Sequence, residues 1–150
     1  MADHCANSAG KTTLPIRRYE IPLFIYSPNH VPSQRIDRLA SQIDIAPTVL
    51  GLLNFSYESK FFGKDILKME LEQERAFIGT YQRLGFIKKG RLVVLDLKKE
   101  RNLYQIDPIT GEEKKILPDQ KLFDEAISYY QAADYLNQHH LNRRNFNKGN

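Results

Sequence analysis

The sequence predicts an α/β chain made of two parts with different textures. Three observations carry this. A continuous apolar run, Ile21 to Tyr26, is followed by a helical pattern over Ser41 to Leu53. From Ala76 onward, short apolar segments alternate with short polar turns. A long stretch from Asp119 to about Gln138 then repeats its apolar residues at helical spacing.

Met1 to Arg18 is polar and turn-rich, with no helical or strand period, and reads as a loop. Ile21 to Tyr26 has strand length, and a run apolar at every position fits a strand buried on both faces of a covered sheet. Pro22 puts the start of that strand near an edge or an end. Ser27 to Ser33, with Pro28 and Pro32, is a loop.

Ser41 to Leu53 reads as a short buried helix. Asp44 is placed to cap its first turn, and Pro47 sits where a missing N–H does least harm. Ile45, Val49, Leu52 and Leu53 fall on one apolar face. A turn-rich segment with Phe55, Tyr57, Phe61 and Phe62 follows.

Ala76–Tyr81, Leu84–Ile87, Leu92–Leu97 and Leu103–Ile106 are four strand candidates. Lys88-Lys89-Gly90, Lys98 to Arg101 and Asp107 to Gly111 are the turns between and after them. Connections this short require antiparallel neighbours, so the segment is a meander. Asp119, after Pro118, is a good N-cap for the last helix. Leu122, Phe123, Ala126, Ile127, Tyr130 and Ala133 form its apolar stripe, expected to cover one face of the meander. The expected division is 1–70, an α/β piece; 71–141, sheet plus helix; and 142–150, a polar tail.

Composition narrows the function classes. With 150 residues, 41% hydrophobic and 27% charged, the chain has a globular composition and enough bulk for a core. No apolar run approaches the roughly 20 residues of a spanning helix, and Met1-Ala2-Asp3-His4 does not begin a signal peptide. The net charge is +4, but basic residues are interleaved with acidic ones. That pattern suits a solvated basic surface better than a nucleic-acid interface. The single cysteine, Cys5, has no internal disulfide partner.

Asp3-His4 is the only adjacent carboxylate–imidazole pair. Both side-chain types bind divalent cations, though two donors do not complete a site. His139-His140 reads as a helix end whose charge suits the dipole, and His30 as a surface residue. Ser8-Ala9-Gly10-Lys11 lacks the first glycine and the spacing of a phosphate-binding loop. No Ser/His/Asp triad or paired-carboxylate motif is present. From the residues alone, the choice stays between part of a metal-dependent enzyme and a stand-alone, non-catalytic binding module with a basic surface.

An ordered set of phrases goes further. Ala2-Asp3-His4-Cys5, Gly10-Lys11-Thr12, Tyr19 to Pro28, Gln42-Ile43-Asp44-Ile45-Ala46-Pro47-Thr48, Phe62-Gly63-Lys64-Asp65-Ile66-Leu67, Leu103-Tyr104 and Asp107-Pro108 with Gly111-Glu112 follow one another. Over residues 2–112 this order resembles the C-terminal part of the sulfatase family within the alkaline phosphatase superfamily. The nearest branch is the membrane-anchored phosphoglycerol transferases related to lipoteichoic acid synthase.

The resemblance implies the C-terminal portion of an alkaline-phosphatase-like fold, with a small meander packed on a C-terminal helix. Asp3 and His4 match the family's metal-binding pair, and Lys11 matches a lysine that contacts the substrate's anionic group. Cys5 stands where many sulfatases have glycine. Mn²⁺ is the expected ion, with Mg²⁺, Ca²⁺ and Zn²⁺ left open. The substrate implied is a phosphoglycerol or sulfate ester, or an anionic lipid head group. The nucleophile, the other ligands and the membrane helices would lie N-terminal to this chain, in a protein of the bacterial inner membrane with a periplasmic or extracellular catalytic domain. The piece alone is expected to be catalytically inactive and capable of self-association. Asp44 is expected to be structural and not a ligand.

Overall fold

A computed structural model describes residues 14–142. The chain divides into two compact units, Met1–Pro118 and Asp119–Asn150.

The centre of the first unit is a five-stranded antiparallel meander in sequential order. Its strands are β1 (Ala76–Gly79), β2 (Arg83–Lys88), β3 (Arg91–Asp96), β4 (Arg101–Ile106) and β5 (Glu113–Lys115). The turns set the register. Lys89 and Gly90 both have positive φ, 50° and 69°. That is the backbone of a tight two-residue hairpin, and glycine supplies the second position without steric cost. Lys88 therefore faces Arg91, and every later pair in β2 and β3 follows. Lys99 takes a positive φ of 61° in the next turn.

With side chains alternating between faces, this register builds two apolar rows. Ala76, Ile87, Leu92 and Tyr104 lie opposite one another on one face. Leu14 packs into that row, with Ile16, Tyr19 and Leu39 around it. Phe77, Phe86, Val93 and Leu103 form the row on the other face. Phe86 and Val93 are fully buried there, and the Phe77 and Phe86 rings are tilted at 5.5 Å.

Both sheet edges are blocked. On β1, the Phe77 N–H donates to the Ser41 hydroxyl, and the Tyr19 hydroxyl donates to the Gly79 carbonyl. β5 is three exposed charged residues, Glu113-Lys114-Lys115, a composition that discourages further pairing. The strand is absent from the sequence expectation because so short a charged segment has no apolar period. It pairs because the preceding turn delivers it beside β4. Asp107 makes that turn: its carboxylate accepts from the Ile109 and Thr110 N–H groups at 2.8 and 2.7 Å.

Before the sheet, a 3₁₀ turn (Gln42–Asp44) leads directly into helix α1 (Ile45–Leu52). The buried residues of α1 are Pro47 and Thr48; Val49 and Leu53 are exposed. The expected apolar face of Ile45, Val49, Leu52 and Leu53 is therefore corrected: Val49 and Leu53 are exposed, Ile45 and Leu52 half-buried, and the buried positions are Pro47 and Thr48. Ile21–Tyr26 also departs from expectation. It forms no strand, and Phe24 and Tyr26 are 84% and 89% exposed. A strand needs a neighbour for its backbone groups, and the described residues provide none.

In the second unit, α2 (Gln120–Gln138) begins where Asp119 accepts from the Leu122 N–H at 3.1 Å. Leu122, Phe123 and Ala126 of the expected stripe are buried; Ala133, near the helix end, is exposed. No helix among the described residues is long and apolar enough to cross a membrane.

Candidate functional site

The expected ligands Asp3 and His4, the anion-binding Lys11, and Cys5 all lie outside the described residues. What the structure resolves is the frame that follows them in the chain, and its centre is a buried ion pair.

Asp44 is fully buried and Arg75 is 1% exposed. The carboxylate and guanidinium meet through two hydrogen bonds, Arg75 Nη2 to Oδ1 at 2.8 Å and Nη1 to Oδ2 at 2.9 Å. This fork geometry gives a strong and directional form of the pair. Each carboxylate oxygen also accepts one backbone N–H at 2.8 Å: Lys64 donates to Oδ1 and Ser41 to Oδ2. The Ser41 bond means that Asp44 caps the 3₁₀ turn ahead of α1; it makes no side-chain cap to α1 itself. Arg75 Nη2 donates further to the Phe62 carbonyl at 2.9 Å, and the guanidinium lies 5.6 Å from the Phe77 ring centre. The Arg75 Nε has no partner among the described residues.

A second strap runs alongside. The Thr48 hydroxyl donates to the Asp44 carbonyl at 2.6 Å and accepts from the Ile66 N–H at 2.9 Å. Gly63 makes the approach possible: a Cβ there would stand 1.9 Å from the Ile43 carbonyl oxygen. Two phrases of the sequence, Ile43 to Thr48 and Phe62 to Ile66, are thus docked against each other, the side chains of Asp44 and Thr48 accepting backbone N–H groups of Lys64 and Ile66. Asp44 is structural, because both of its oxygens are occupied by internal donors. Arg75 is the residue that sequence reading missed. The available signal was an arginine directly ahead of an apolar strand, with one acid set in an otherwise apolar helix start.

The remaining candidates separate cleanly. His139 Nδ1 lies 2.9 Å from the Tyr135 carbonyl, and its ring stacks on Tyr135 at 4.1 Å, so it belongs to the helix end. His30 is exposed and pairs with the Ser27 hydroxyl at 3.2 Å. No three His, Cys, Asp or Glu side chains converge as metal donors among the described residues. A shallow pocket of about 250 Å³ is lined by Leu39, Leu71, Glu72, Glu74, Lys89 and Gly90. The Lys89 ammonium holds the Glu72 carboxyl below its usual range, and the Arg83 hydrogen bond does the same for Asp96.

Comparison with known proteins agrees with this frame. The sulfatase family model matches residues 1–55, the stretch that holds Asp3, His4, Lys11 and Asp44. A solved protein of the alkaline phosphatase superfamily from Vibrio parahaemolyticus is similar in structure, with a TM-score of 0.82 at 25% identity. The match covers 90% of this chain and 33% of that one, so this chain spans about a third of its length. Over nine tenths of its residues, the chain has the fold of an alkaline phosphatase superfamily protein, with a sulfatase signature at its N-terminal side.

Proposed function

We propose that this chain is the C-terminal part of a metal-dependent ester hydrolase or transferase of the sulfatase type, and that Asp3 and His4 are two of its metal ligands. The observation that carries the reading is the sulfatase match over residues 1–55, which contains both residues, on a chain with the corresponding fold. The donor set fits the group. A carboxylate and a neutral imidazole suit a hard or borderline divalent ion, Mn²⁺ first and then Mg²⁺, Ca²⁺ or Zn²⁺. Such an ion supplies positive charge that polarises a nucleophile and screens an oxyanion.

The chain's own contribution is to hold and orient. Asp3 and His4 bind the cation, and Lys11 contacts the anionic oxygens of the ester. The Asp44–Arg75 latch, downstream on the chain, fixes the 41–48 and 62–66 segments against each other. Within this reading the nearest reaction type is phosphoglycerol transfer, with a phosphoglycerol or sulfate ester, or an anionic lipid head group, as substrate. The intact protein is anchored in the bacterial inner membrane by helices outside this chain, and its catalytic domain faces the periplasm or the exterior. The nucleophile and the remaining ligands come from that same outside portion.

Metal binding tests this directly. Equilibrium dialysis with Mn²⁺ should show weak, saturable uptake by the chain. Asp3→Ala and His4→Ala should each lower the affinity by about tenfold, or about 1.4 kcal/mol. Uptake unchanged in both variants would refute the assignment.

A further inference from the structure

We infer that Arg17 and Gly111 are positioning residues for the proposed metal site: the β4–β5 turn grips the segment 14–19 and so fixes the point from which the chain runs back to Lys11, His4 and Asp3. The inference rests on the metal reading above and adds to it. One phrase of the ordered set, Asp107-Pro108 with Gly111-Glu112, lies far along the chain from Asp3-His4 and has no part yet in that reading.

The sheet holds segment 14–19 at three places. Leu14 is buried and sits over Gly85, where a Cβ would stand 3.1 Å from its Cδ1. The Tyr19 hydroxyl donates to the Gly79 carbonyl on the β1 edge at 3.1 Å. Between these two, the 3₁₀ turn Ile16–Arg18 meets the β4–β5 turn. Arg17 Nη2 donates to the Ile109 carbonyl, and the Ile16 N–H donates to the Glu113 carboxyl. The Asp107 carboxylate, which accepts the Thr110 and Ile109 N–H groups, also feels the Arg17 charge. Gly111 has a φ of 74° and lies against the Arg17 stem: a Cβ there would stand 2.8 Å from Nε, 2.9 Å from Cγ and 3.1 Å from Cδ. Glycine is thus required twice at this position, by the backbone conformation and by the arginine lying across it.

The covalent chain carries the grip toward the site. Only Thr12 and Thr13 separate Leu14 from Lys11, and three residues of extended chain reach no more than about 11 Å. A segment released from the turn has to be re-ordered when an ion binds, and fixing the backbone of a single residue changes an equilibrium by about fivefold. An anchor of purely structural role would lower stability and leave the metal affinity of the folded chain unchanged. A positioning anchor lowers the affinity itself.

The experiment uses the whole chain, with Mn²⁺ alone as the probe. In equilibrium dialysis, Arg17→Ala should weaken Mn²⁺ binding by about fivefold, and Gly111→Ala, which pushes the arginine aside, should act in the same direction. The double variant should bind no more weakly than the weaker single variant, because both changes act through one contact. Arg17→Lys, which keeps a donor and a charge at the turn, should recover most of the affinity. Leu97→Ala, at an exposed residue between β3 and β4, should leave it unchanged. Circular dichroism of every variant should match the parent chain. Amide exchange reads the grip directly. The Arg18 and Tyr19 N–H groups donate to the Pro15 and Ile16 carbonyls at 3.0 and 2.8 Å. They should lose protection in Arg17→Ala, while Phe86 and Val93 keep theirs. Unchanged exchange at Arg18 and Tyr19, or an Arg17→Ala affinity equal to the parent's, overturns the proposal. If that equality holds while Asp3→Ala and His4→Ala still weaken binding, the metal reading stands and only the positioning fails. Binding indifferent to Asp3→Ala and His4→Ala refutes the metal reading and the positioning with it.

Discussion

Removing the Asp44 carboxylate strands the Arg75 guanidinium, which is 1% exposed. Breaking one side of a buried pair leaves an uncompensated charge and costs about 3–5 kcal/mol. Asp44→Ala should therefore lower stability by that order in urea denaturation followed by circular dichroism. Replacing both partners with apolar residues of similar size, Asp44→Leu with Arg75→Met, should recover part of the loss, because no charge is left buried. If the double variant is as unstable as the sum of the two singles, the two side chains are not coupled and the latch is misread. Asp44 was legible in the sequence as a helix-start acid of structural role. Its partner was not, because a pair 31 residues apart leaves no local period.

Asp107 governs the β4–β5 connection, and its chemistry at the level of the element is pH-dependent. Hydrogen bonds from Thr110 and then Ile109 N–H groups hold its carboxyl below the ordinary value of 3.8. A depressed carboxylate pKa contributes stability that is present above the unfolded value and lost as pH falls through the folded one. Amide exchange at β5 should therefore stay protected down to about pH 4 and open below it, and Asp107→Ala should abolish that dependence. Partial desolvation beside its neighbours acts on Glu113 in the opposite sense and raises its carboxyl, although the residue is exposed. Strands β1–β4 and helix α2 were legible within a residue or two because turn chemistry and apolar period agree there. Two elements were not. β5 has no apolar residue to count. Ile21–Tyr26 has the composition of a buried strand, but its ladder depends on a neighbour that local composition cannot name. The face of α1 was misjudged for a related reason. Its inward residues are Pro47 and Thr48, and Thr48 is held by hydrogen bonds to Asp44 and Ile66 that no hydrophobic count can register.

For the whole molecule, apolar exposure is uneven. Phe24, Tyr26, Leu53, Phe55 and Phe61 are each more than half exposed, while the rows of the meander are closed on both faces. Tyr81, Leu97, Ile109 and Leu117, in the connections around the sheet, are exposed as well, so the contrast lies between the paired rows and the connecting segments. On the proposed reading, in which Asp3 and His4 are two ligands and the nucleophile comes from outside this chain, the chain alone should not turn over substrate. With added Mn²⁺, neither a phosphodiester nor an aryl sulfate should be hydrolysed above background in a chromogenic assay. Turnover that disappears in Asp3→Ala would show that the chain carries a complete site after all. The proposed ligand pair, Asp3-His4, was visible only as an adjacent acid and imidazole. Its meaning came from the order of distant phrases, and the latch explains why two of those phrases go together.

The latch also sets how this region can change length. Asp44 to Lys64 and Thr48 to Ile66 clamp both ends of the loop through residues 53–61. With its ends held, the loop's interior carries little of the fold. Doubling its length would cost only about 0.6 kcal/mol in closure entropy. Insertions can therefore accumulate there while the segments held by Asp44 and Thr48 keep their geometry.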